Sequence, residues 1–320
     1  MVLSLLAAVV ATCRCTDYFM TRWLDSKRME PIPEAAAVPS TEHDQTTVTV
    51  DVLHTGSVAI DRALAYEEQT WHPAPETGWF RSDSNRVRVP VSAYLISHPE
   101  GPVLVDTGWH TDVRTDERGH LGRVLSSMFD ARLPDGAAVT EQLAARELTP
   151  ADLASVVITH MHSDHVSGLD LVRDAPEILV SERALAGATS RFSQNRFLAG
   201  NMWDGIEFSP FGFEDSGLGP FGRSYDLFGD GAIRLVWAPG HDEGQIVILA
   251  RTDEGWVLLT SDVIYGRQSL QDGTIPGLTT DREAARTSLE WVRSVAGHSD
   301  CVAVLPNHDS TVQPGRITSQ

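Results

Sequence analysis

The chain is poor in cysteine and in long apolar segments, and each shortage excludes a class of protein. Three cysteines among 320 residues, at positions 13, 15 and 301, leave no room for a disulfide framework. We therefore expect a cytoplasmic protein in which Cys301 is a small buried core residue. The apolar segment 2–12 is shorter than the roughly 20 residues that a membrane-spanning helix needs, so we expect no stable membrane insertion.

Basic residues are also scarce. The chain has 25 Lys and Arg against 44 Asp and Glu, which gives a formal net charge of -19. A surface this acidic repels phosphate backbones, so nucleic acid is excluded as a partner. Neither an internal repeat nor a glycine-rich phosphate loop is present. With 42% hydrophobic and 22% charged residues, the composition is that of an ordinary globular protein, which excludes disorder throughout the chain.

The N-terminal residues differ in composition from the rest of the chain. Residues 17–46 are rich in Pro, Ala and polar residues, so we interpret residues 1–46 as an N-terminal arm or linker and residues 47–320 as the folded domain. The apolar start lacks the basic residues that precede a secretory core, and Thr12 fits poorly before a lipoprotein cysteine. Export or lipid anchoring through residues 1–15 is the alternative.

Hydrophobic periodicity predicts an α/β fold. "TVTVDVLHTG" alternates as a half-buried strand does, and "VSAYLISHPEGPVLVDTG" predicts two strands joined by a turn. Strands and helices alternate in the middle of the chain, and "DREAARTSLEWVRSVAG" predicts a late helix with Thr280 as its N-cap. Residues 190–226 show no clear period and are interpreted as a long functional loop. Some of its phenylalanines are expected to line an apolar groove, and the candidates are Phe192, Phe197, Phe208, Phe211, Phe213 and Phe221.

One short stretch contains several residues that could bind a metal ion. "ITHMHSDHVSGLD" carries His160, His162 and His165 around Asp164, directly after the apolar strand "LASVVI". A single histidine of this kind is more often an ordinary core or surface residue. Neutral imidazole is the commonest metal ligand, and imidazole together with carboxylate suits zinc. The cluster therefore predicts a metal site in a loop after a strand.

Three further strands end in the same way. "LVWAPGHDEG", "VLLTSDVIY" and "VAVLPNHD" lead from apolar strands to His241, Asp262 and His308. Open α/β sheets place their sites at the carboxyl ends of their strands. We therefore expect these side chains to meet the histidine cluster at one edge of a layered sheet structure.

The set of motifs resembles the metallo-β-lactamase superfamily, from about residue 47 to residue 312. This resemblance implies a four-layer αβ/βα sandwich, a hydrolase domain over residues 47–320, and two divalent metal ions, most simply Zn(II). It also implies a supporting role for Asp106 of "DTG". The implied ligands are His160, His162 and His241 for one ion, Asp164, His165 and His308 for the other, and Asp262 as the bridge.

Within the superfamily, the segment "SDVIY" places Tyr265 three residues after Asp262, and this spacing resembles that of the N-acyl homoserine lactone lactonases of bacterial quorum quenching. This implies ring opening by attack of a metal-bound hydroxide, with Tyr265 helping to polarise the lactone carbonyl or to bind the ring, and Asp164 passing a proton to the leaving alkoxide. A bystander role for Tyr265, as a half-exposed cap on a turn, is the alternative. Many relatives read "APGHTPGH" where this chain reads "APGHDEGQ", which loses a second histidine and places Asp242 and Glu243 near the metals.

Other functions remain open at this point. A thioester hydrolase of the glyoxalase II type uses nearly the same ligands, but it commonly adds a helical C-terminal domain that we do not expect here. A hydrolase of another lactone or ester is also compatible with the ligands. A degenerate member that only binds would be expected to have lost ligands, and all seven are present. A homodimer is compatible with the sequence.

Overall fold

Two mixed β-sheets pack face to face in the computed structural model, which describes residues 46–191 and 193–317. The first sheet has the strand order β14-β1-β2-β3-β5-β6-β7, with β4 paired to β1, and its strands are β1 (Thr49–Asp61), β2 (Arg86–Ser97), β3 (Val103–Val105), β4 (Asp130–Arg132), β5 (Ser155–Ile158), β6 (Ile178–Ser181), β7 (Ser209–Phe211) and β14 (Gly315–Arg316). The second has the order β13-β12-β11-β10-β9-β8, and its strands are β8 (Glu214–Asp215), β9 (Arg223–Asp226), β10 (Ile233–Trp237), β11 (Ile246–Thr252), β12 (Gly255–Ser261) and β13 (Cys301–Pro306).

Helices cover the outer faces of both sheets. Those of the described residues are α1 (Arg62–Ala65), α2 (Val113–Met128), α3 (Val139–Ala144), α4 (Ser163–Val166), α5 (Glu182–Thr189), α6 (Gln194–Ala199), α7 (Arg267–Asp272) and α8 (Arg282–Ala296). Short 3-10 turns lie at Pro75–Thr77, Asp83–Asn85, Pro150–Asp152, Leu169–Val172 and Gly200–Met202. Helices α1 to α6 lie between strands of the first sheet along the chain, and α7 and α8 lie between β12 and β13 of the second sheet.

Strand β3 shows how the residue pattern favours a layered structure. Its side chains alternate between the two faces of the sheet, so Val103 and Val105 enter the core between the sheets while Leu104 enters the core under the helices. Both faces are buried, which explains the unbroken apolar run. Helix α8 buries Leu289 and Val292 against the outer face of the second sheet. The expected four-layer αβ/βα sandwich is confirmed.

The topology brings the strand ends that lead to the histidine cluster, His241, Asp262 and His308 to one edge of the sandwich. Strand β12 is parallel to β13, and β10 runs in the same direction because β11 is antiparallel to both β10 and β12. The segments that leave β10, β12 and β13 therefore emerge on the same side of the second sheet. The segment after β5 of the first sheet meets them there, since Ile246 donates its backbone N–H to the Thr159 carbonyl at 3.1 Å.

The interpretation of residues 190–226 as a loop is wrong. This segment contains α6, β7, β8 and β9. Strand β7 pairs parallel to β6, and β9 pairs antiparallel to β10. Each of these strands has two to four residues, which is too short for a hydrophobic period to show in the sequence. Their existence depends on pairing with strands that are already in place.

The expectation about the phenylalanines of this segment also needs correction. Phe211 stacks on Tyr225 at 5.0 Å in the core between the sheets, and Phe213 and Phe221 pack on Trp237. These three rings stabilise the ends of short strands, so the expectation that they line a groove is wrong. Phe208 is half-buried and Phe197 is exposed. Phe192 lies outside the described residues.

Two further expectations need correction. The N-cap of α8 is Asp281, whose carboxylate accepts from Glu283 N and Ala284 N, whereas Thr280 Oγ1 donates to the Gly240 carbonyl. A carboxylate that reaches two free backbone donors caps better than a hydroxyl one residue earlier. Cys301 is half-buried at the edge of the second sheet, because it opens a strand that starts near the surface.

The N-terminal segment lies outside the described residues, since description begins at residue 46. The arm over residues 1–46, the domain start at residue 47 and the alternative of lipid anchoring through residues 1–15 stay predictions. Within the described part of the chain, none of the helices combines the length and apolar character needed to cross a membrane.

Gly240 provides a test of how tightly helix α8 fixes the segment after β10. Its φ is +137°, and a Cβ there would lie 2.3 Å from both the backbone N and the Cα of Ala285. We expect Gly240→Ala to lower the free energy of unfolding by about 3 kcal/mol, through backbone strain and overpacking, in urea titrations. Gly187→Ala is the control: it meets open space inside α5, and we expect it to stabilise by about 0.5 kcal/mol. Equal stability of both variants would contradict this account.

Candidate metal centre

Three imidazole rings converge beyond the end of β5. His160 Nε2 and His162 Nδ1 lie 3.0 Å apart, and His241 Nε2 lies 2.8 Å from the same His162 nitrogen. His162 has extended backbone angles (φ -81°, ψ 157°) just before α4, so the chain turns and its ring folds back towards His160. Burial lowers the pKa of His162 and His241 to about 4 and that of His160 well below its usual range. The rings are therefore neutral and offer lone pairs.

A second group adjoins the first and contains two carboxylates. Asp164 Oδ2 lies 3.3 Å from His308 Nε2 and 3.8 Å from His165 Nε2. Asp262 Oδ1 lies 3.3 Å from His165 Nε2, and Asp262 Oδ2 lies 3.4 Å from His308 Nε2. The same Oδ2 atom is also 3.5 Å from His241 Nε2. Asp262 thus lies between the two groups, and all seven residues singled out in the sequence are brought together.

Backbone carbonyls from other elements orient two of the rings. His241 Nδ1 donates to the Leu278 carbonyl at 2.6 Å, and His308 Nδ1 donates to the Pro90 carbonyl at 2.8 Å. Because the proton is used on Nδ1, each ring directs an unprotonated Nε2 towards the centre in its neutral form. Sequence reasoning missed both carbonyl partners, since a backbone acceptor carries no residue-type signal.

Asp106 orients a third ring. Its Oδ2 lies 2.7 Å from His165 Nδ1, and it accepts from the Thr159 hydroxyl at 2.9 Å, while its Oδ1 accepts from Thr159 N at 2.8 Å. Asp106 itself has a φ of +57°, an uncommon conformation for a residue other than glycine. Thr159 was missed in the sequence, although it directly precedes His160 in "ITH". Together these contacts join the end of β3 to the segment that carries the histidines.

Gln245 shows what replaces the second histidine of "APGHTPGH". Its side chain is fully buried, and its amide oxygen accepts from the backbone N–H groups of Asp262 at 3.0 Å and Val263 at 2.9 Å. The glutamine therefore holds the backbone that carries the carboxylate between the two groups. Asp242, which precedes it in the same turn, is buried and contacts Asn195 and Gly244 N through its carboxylate.

The second group has the electrostatics of a cation site. Burial lowers the pKa of His308, but the charges of Asp262 and Asp164 outweigh this and raise it to about 10. Burial raises the pKa of Asp262, but His308 and His165 hold it well below its usual range. The carboxylates therefore attract positive charge into a largely buried site.

Unpaired atoms test whether metal ions fit these residues. His165 Nε2, His308 Nε2 and Asp262 Oδ1 are buried and have no hydrogen-bond partner. Unpaired polar atoms of this kind are costly, and here they face one another. In the first group, His162 Nδ1 lies 3.0 Å from His160 Nε2 and 2.8 Å from His241 Nε2, and in the tautomers that metal ligation requires none of these three nitrogens carries a proton. Imidazole nitrogen and carboxylate oxygen are the donors that zinc prefers, so the residues fit a pair of divalent ions.

Tyr265 borders the second group. Its ring stacks on His308 with centroids 4.6 Å apart, and its side chain is only 4% exposed, so the half-exposed position considered for it is wrong. Burial raises the pKa of its hydroxyl well above the ordinary value, and the charges of Asp262 and Asp164 raise it further. The hydroxyl therefore stays protonated and can donate a hydrogen bond beside the metal ligands.

A third group of potential ligands lies nearby and was not recognised in the sequence. His110 and His120 stack with centroids 5.1 Å apart, next to Asp112. One ring nitrogen of each already has a partner: Asp112 N donates to His110 Nδ1 at 3.1 Å, and His120 Nε2 lies 2.7 Å from Ser167 Oγ. Ser167 Oγ accepts from His110 N, which leaves its hydroxyl proton for His120. We interpret this group as support for the end of α4.

Comparison with known proteins agrees with this geometry. Residues 86–298 match the family model of the metallo-beta-lactamase superfamily. N-acyl homoserine lactonase AttM of Azorhizobium caulinodans is 30% identical over 71% of this chain and 84% of its own length. N-acyl homoserine lactonase of Bacillus cereus is 25% identical over 66% of this chain and 78% of its own length. A solved N-acyl homoserine lactone hydrolase with N-hexanoyl-L-homoserine bound at its catalytic metal centre shares the fold, with a TM-score of 0.65 at 20% identity over 83% of this chain and 95% of that one.

Asp106→Asn tests the orientation of His165. The amide would place an N–H group opposite His165 Nδ1, so the ring would have to move its proton to Nε2 and could no longer ligate. We expect zinc affinity to fall about tenfold to a hundredfold in competition with a chromophoric chelator. Asp226→Asn, in a turn where the carboxylate accepts only from backbone N–H groups of Gly229 and Gly231 and pairs with Arg234, is the control and should bind zinc as the wild type does. Unchanged affinity in Asp106→Asn would contradict the orienting role.

Proposed function

Because the chain belongs to the metallo-β-lactamase superfamily, we propose that it is a dinuclear metal-dependent lactonase that hydrolyses the ring of N-acyl homoserine lactones. It is a hydrolase by family, and its curated relatives carry the name N-acyl homoserine lactonase. The observation that carries the proposal is the position of Tyr265, stacked on His308 beside two groups of ligating atoms that share Asp262.

The proposed ligand assignment follows the two groups. His160, His162 and His241 would hold one ion, Asp164, His165 and His308 would hold the second, and Asp262 would bridge them, a division supported by the distances between the ligating atoms. Two divalent ions, most simply Zn(II), would lower the pKa of a shared water towards neutrality and polarise a carbonyl oxygen.

Two side chains of the site act on the substrate in this proposal. Tyr265 donates its hydroxyl hydrogen bond to the lactone carbonyl oxygen, where negative charge develops as water adds to the carbonyl carbon. Asp164, whose side chain is 15% exposed, would hold the second ion through Oδ2, which faces His165 and His308, and accept a proton from the attacking water at its other oxygen, Oδ1. It then returns that proton to the ring oxygen when the carbon–oxygen bond breaks. The product is an open hydroxy acid, so no further reactant is required.

The nearly closed environment of the ligands supports hydrolysis of an uncharged substrate. His160, His165, His241 and Asp262 are buried, while His162 and Asp164 are the partly accessible members. A ring with an exposed carbonyl can reach these two residues without displacing the buried ones. The thioester hydrolase remains the second candidate, since it requires the same ligands. Cytoplasmic location and a homodimer stay predictions.

The direct test is hydrolysis of homoserine lactones from butanoyl to dodecanoyl, beside a thioester and a β-lactam, followed by titration of released acid. We expect lactone kcat/KM to exceed that for the other two classes by about a hundredfold or more, because only the lactone places its carbonyl against both Tyr265 and the metals. Elemental analysis of protein prepared without chelator should find close to two metal ions per chain. Preference for the thioester would select the second candidate, and metal content near zero would rule out the dinuclear site.

Tyr265→Phe separates the lactonase from a generic hydrolase. The change removes one donor to the carbonyl oxygen while a metal ion continues to polarise it, so we expect kcat to fall about tenfold, against the hundredfold or more that a sole donor is worth. Metal content should not change, since Tyr265 is not a proposed ligand.

Asp164→Asn is the contrasting variant. It should weaken the second metal and remove the proton carrier, so we expect a loss of several orders of magnitude in kcat. Both variants are measured on one lactone with metal occupancy determined. If Tyr265→Phe leaves kcat and KM at wild-type values, Tyr265 takes no part in the reaction.

A further inference from the structure

Thr159 and Ser261 bring two buried hydroxyl groups to the ring of His160. Thr159 directly follows β5 of the first sheet, and Ser261 is the last residue of β12 in the second sheet, immediately before Asp262. Both residues are 3% exposed, and their hydroxyl oxygens lie 2.9 Å apart. Each hydroxyl group has a single proton to donate, so the direction of every hydrogen bond around them can be worked out.

The Thr159 hydroxyl donates its proton to Asp106. Thr159 Oγ1 lies 2.9 Å from Asp106 Oδ2, and Asp106 is 1% exposed. A carboxylate can only accept, and a hydrogen bond to a charged acceptor is stronger than a hydrogen bond to a neutral one. In the contact between the two hydroxyl groups, Thr159 Oγ1 must therefore accept, and the Ser261 hydroxyl donates to it.

This order decides which nitrogen of His160 carries the proton. His160 Nδ1 lies 3.2 Å from Thr159 Oγ1 and 3.3 Å from Ser261 Oγ. Neither oxygen has a proton left to donate, so Nδ1 can form a hydrogen bond only by donating its own. The neutral ring has one N–H group, and its Nε2 is then unprotonated. That nitrogen is the one that lies 3.0 Å from His162 Nδ1 in the first group of ligands.

We propose that Thr159 and Ser261 are positioning residues, whose hydroxyl groups hold the His160 proton on Nδ1 and thereby direct Nε2 to the first metal ion. The inference rests on the proposed function for the presence of that ion, whereas the order of the protons follows from the contacts of the protein. Asp106 also accepts from His165 Nδ1 at 2.7 Å, closer than the 3.3 Å between that nitrogen and Thr159 Oγ1. The chain of hydrogen bonds therefore joins one ligand of each ion.

The backbone of Ser261 supports a role for its side chain. Its φ is +47°, a conformation that is uncommon for residues other than glycine and costs free energy. Glycine would adopt it without strain. A serine at this position is explained by its hydroxyl contacts with Thr159 and His160, which glycine could not make.

Thr159→Val and Thr159→Ser separate the hydroxyl group from the packing of the side chain. Thr159→Val keeps nearly the same shape but removes the hydroxyl group, so the Ser261 proton loses its acceptor and can turn to His160 Nδ1. We expect one of the two zinc ions to bind about tenfold to a hundredfold more weakly, in competition with a chromophoric chelator. Thr159→Ser removes only the methyl group, and its zinc affinity should stay close to that of the wild type. A loss of packing alone would weaken binding more in Thr159→Ser than in Thr159→Val.

Ser261→Ala and Ser261→Gly separate the second hydroxyl group from the backbone strain. Both remove the hydroxyl group, but only Ser261→Gly relieves the strain. We expect them to weaken zinc binding equally and less than Thr159→Val does, because Thr159 Oγ1 remains as an acceptor for His160 Nδ1. Wild-type affinity in Ser261→Gly would overturn the role of the Ser261 hydroxyl. Ser224→Ala is the control: its buried hydroxyl donates to Ser216 Oγ at 2.7 Å, and the variant should bind zinc as the wild type does.

NMR correlation of imidazole protons and nitrogens in the zinc-loaded full chain provides a readout that is independent of turnover. The Nδ1–H signal of His160, identified by its absence in His160→Gln, should move upfield in Thr159→Val, because its hydrogen bond is weakened. It should keep its wild-type position in Thr159→Ser. If Thr159→Val retains either the wild-type zinc affinity or the wild-type signal position, the inference is overturned.

The same measurements separate this inference from the proposed function. A wild-type protein that binds zinc but hydrolyses no lactone would overturn the proposed function alone, and the affinities of the Thr159 variants would still decide the role of the hydroxyl groups. A wild-type protein that binds no zinc would overturn both.

Discussion

The buried carboxylate of Asp262 is the constraint on which the rest of the site depends. Its two oxygens lie within 3.3 to 3.5 Å of imidazole nitrogens from His165, His241 and His308. A charge in this position is tolerated only with compensating positive charge and a rigid backbone. Gln245 supplies part of that rigidity by accepting from the Asp262 backbone N–H. The donor set around this carboxylate is what makes a pair of divalent ions the simplest occupant.

Stability and function share the same contacts in this protein. The ring of His241 is oriented by a carbonyl in the segment before α8, and the ring of His308 by a carbonyl of β2 in the opposite sheet. Gly240, directly before His241, touches the backbone of α8. The packing of the sandwich therefore sets the directions in which His241 Nε2 and His308 Nε2 face the site.

The turn "APGHDEGQ" shows how a departure from the family pattern is accommodated. The position that many relatives give to a second histidine holds a glutamine that supports Asp262 from behind. Asp242 is buried and reaches α6 through Asn195. Gln245 and Asp242 thus both have structural contacts, the first with the backbone of Asp262 and the second with Asn195 of α6.

The residue pattern alone was enough to predict which His and Asp side chains meet and which strands carry them, because a His or Asp directly after an apolar run is recognisable from the local sequence. It also determined the layered α/β class, since alternating burial in segments such as β3 is written in the residue pattern. Other features of the protein depend on its tertiary structure. The short strands within residues 190–226, the carbonyl partners of His241 and His308, and the contact between Asn195 and Asp242 join residues far apart in the chain. Such contacts depend on backbone positions that no local period encodes.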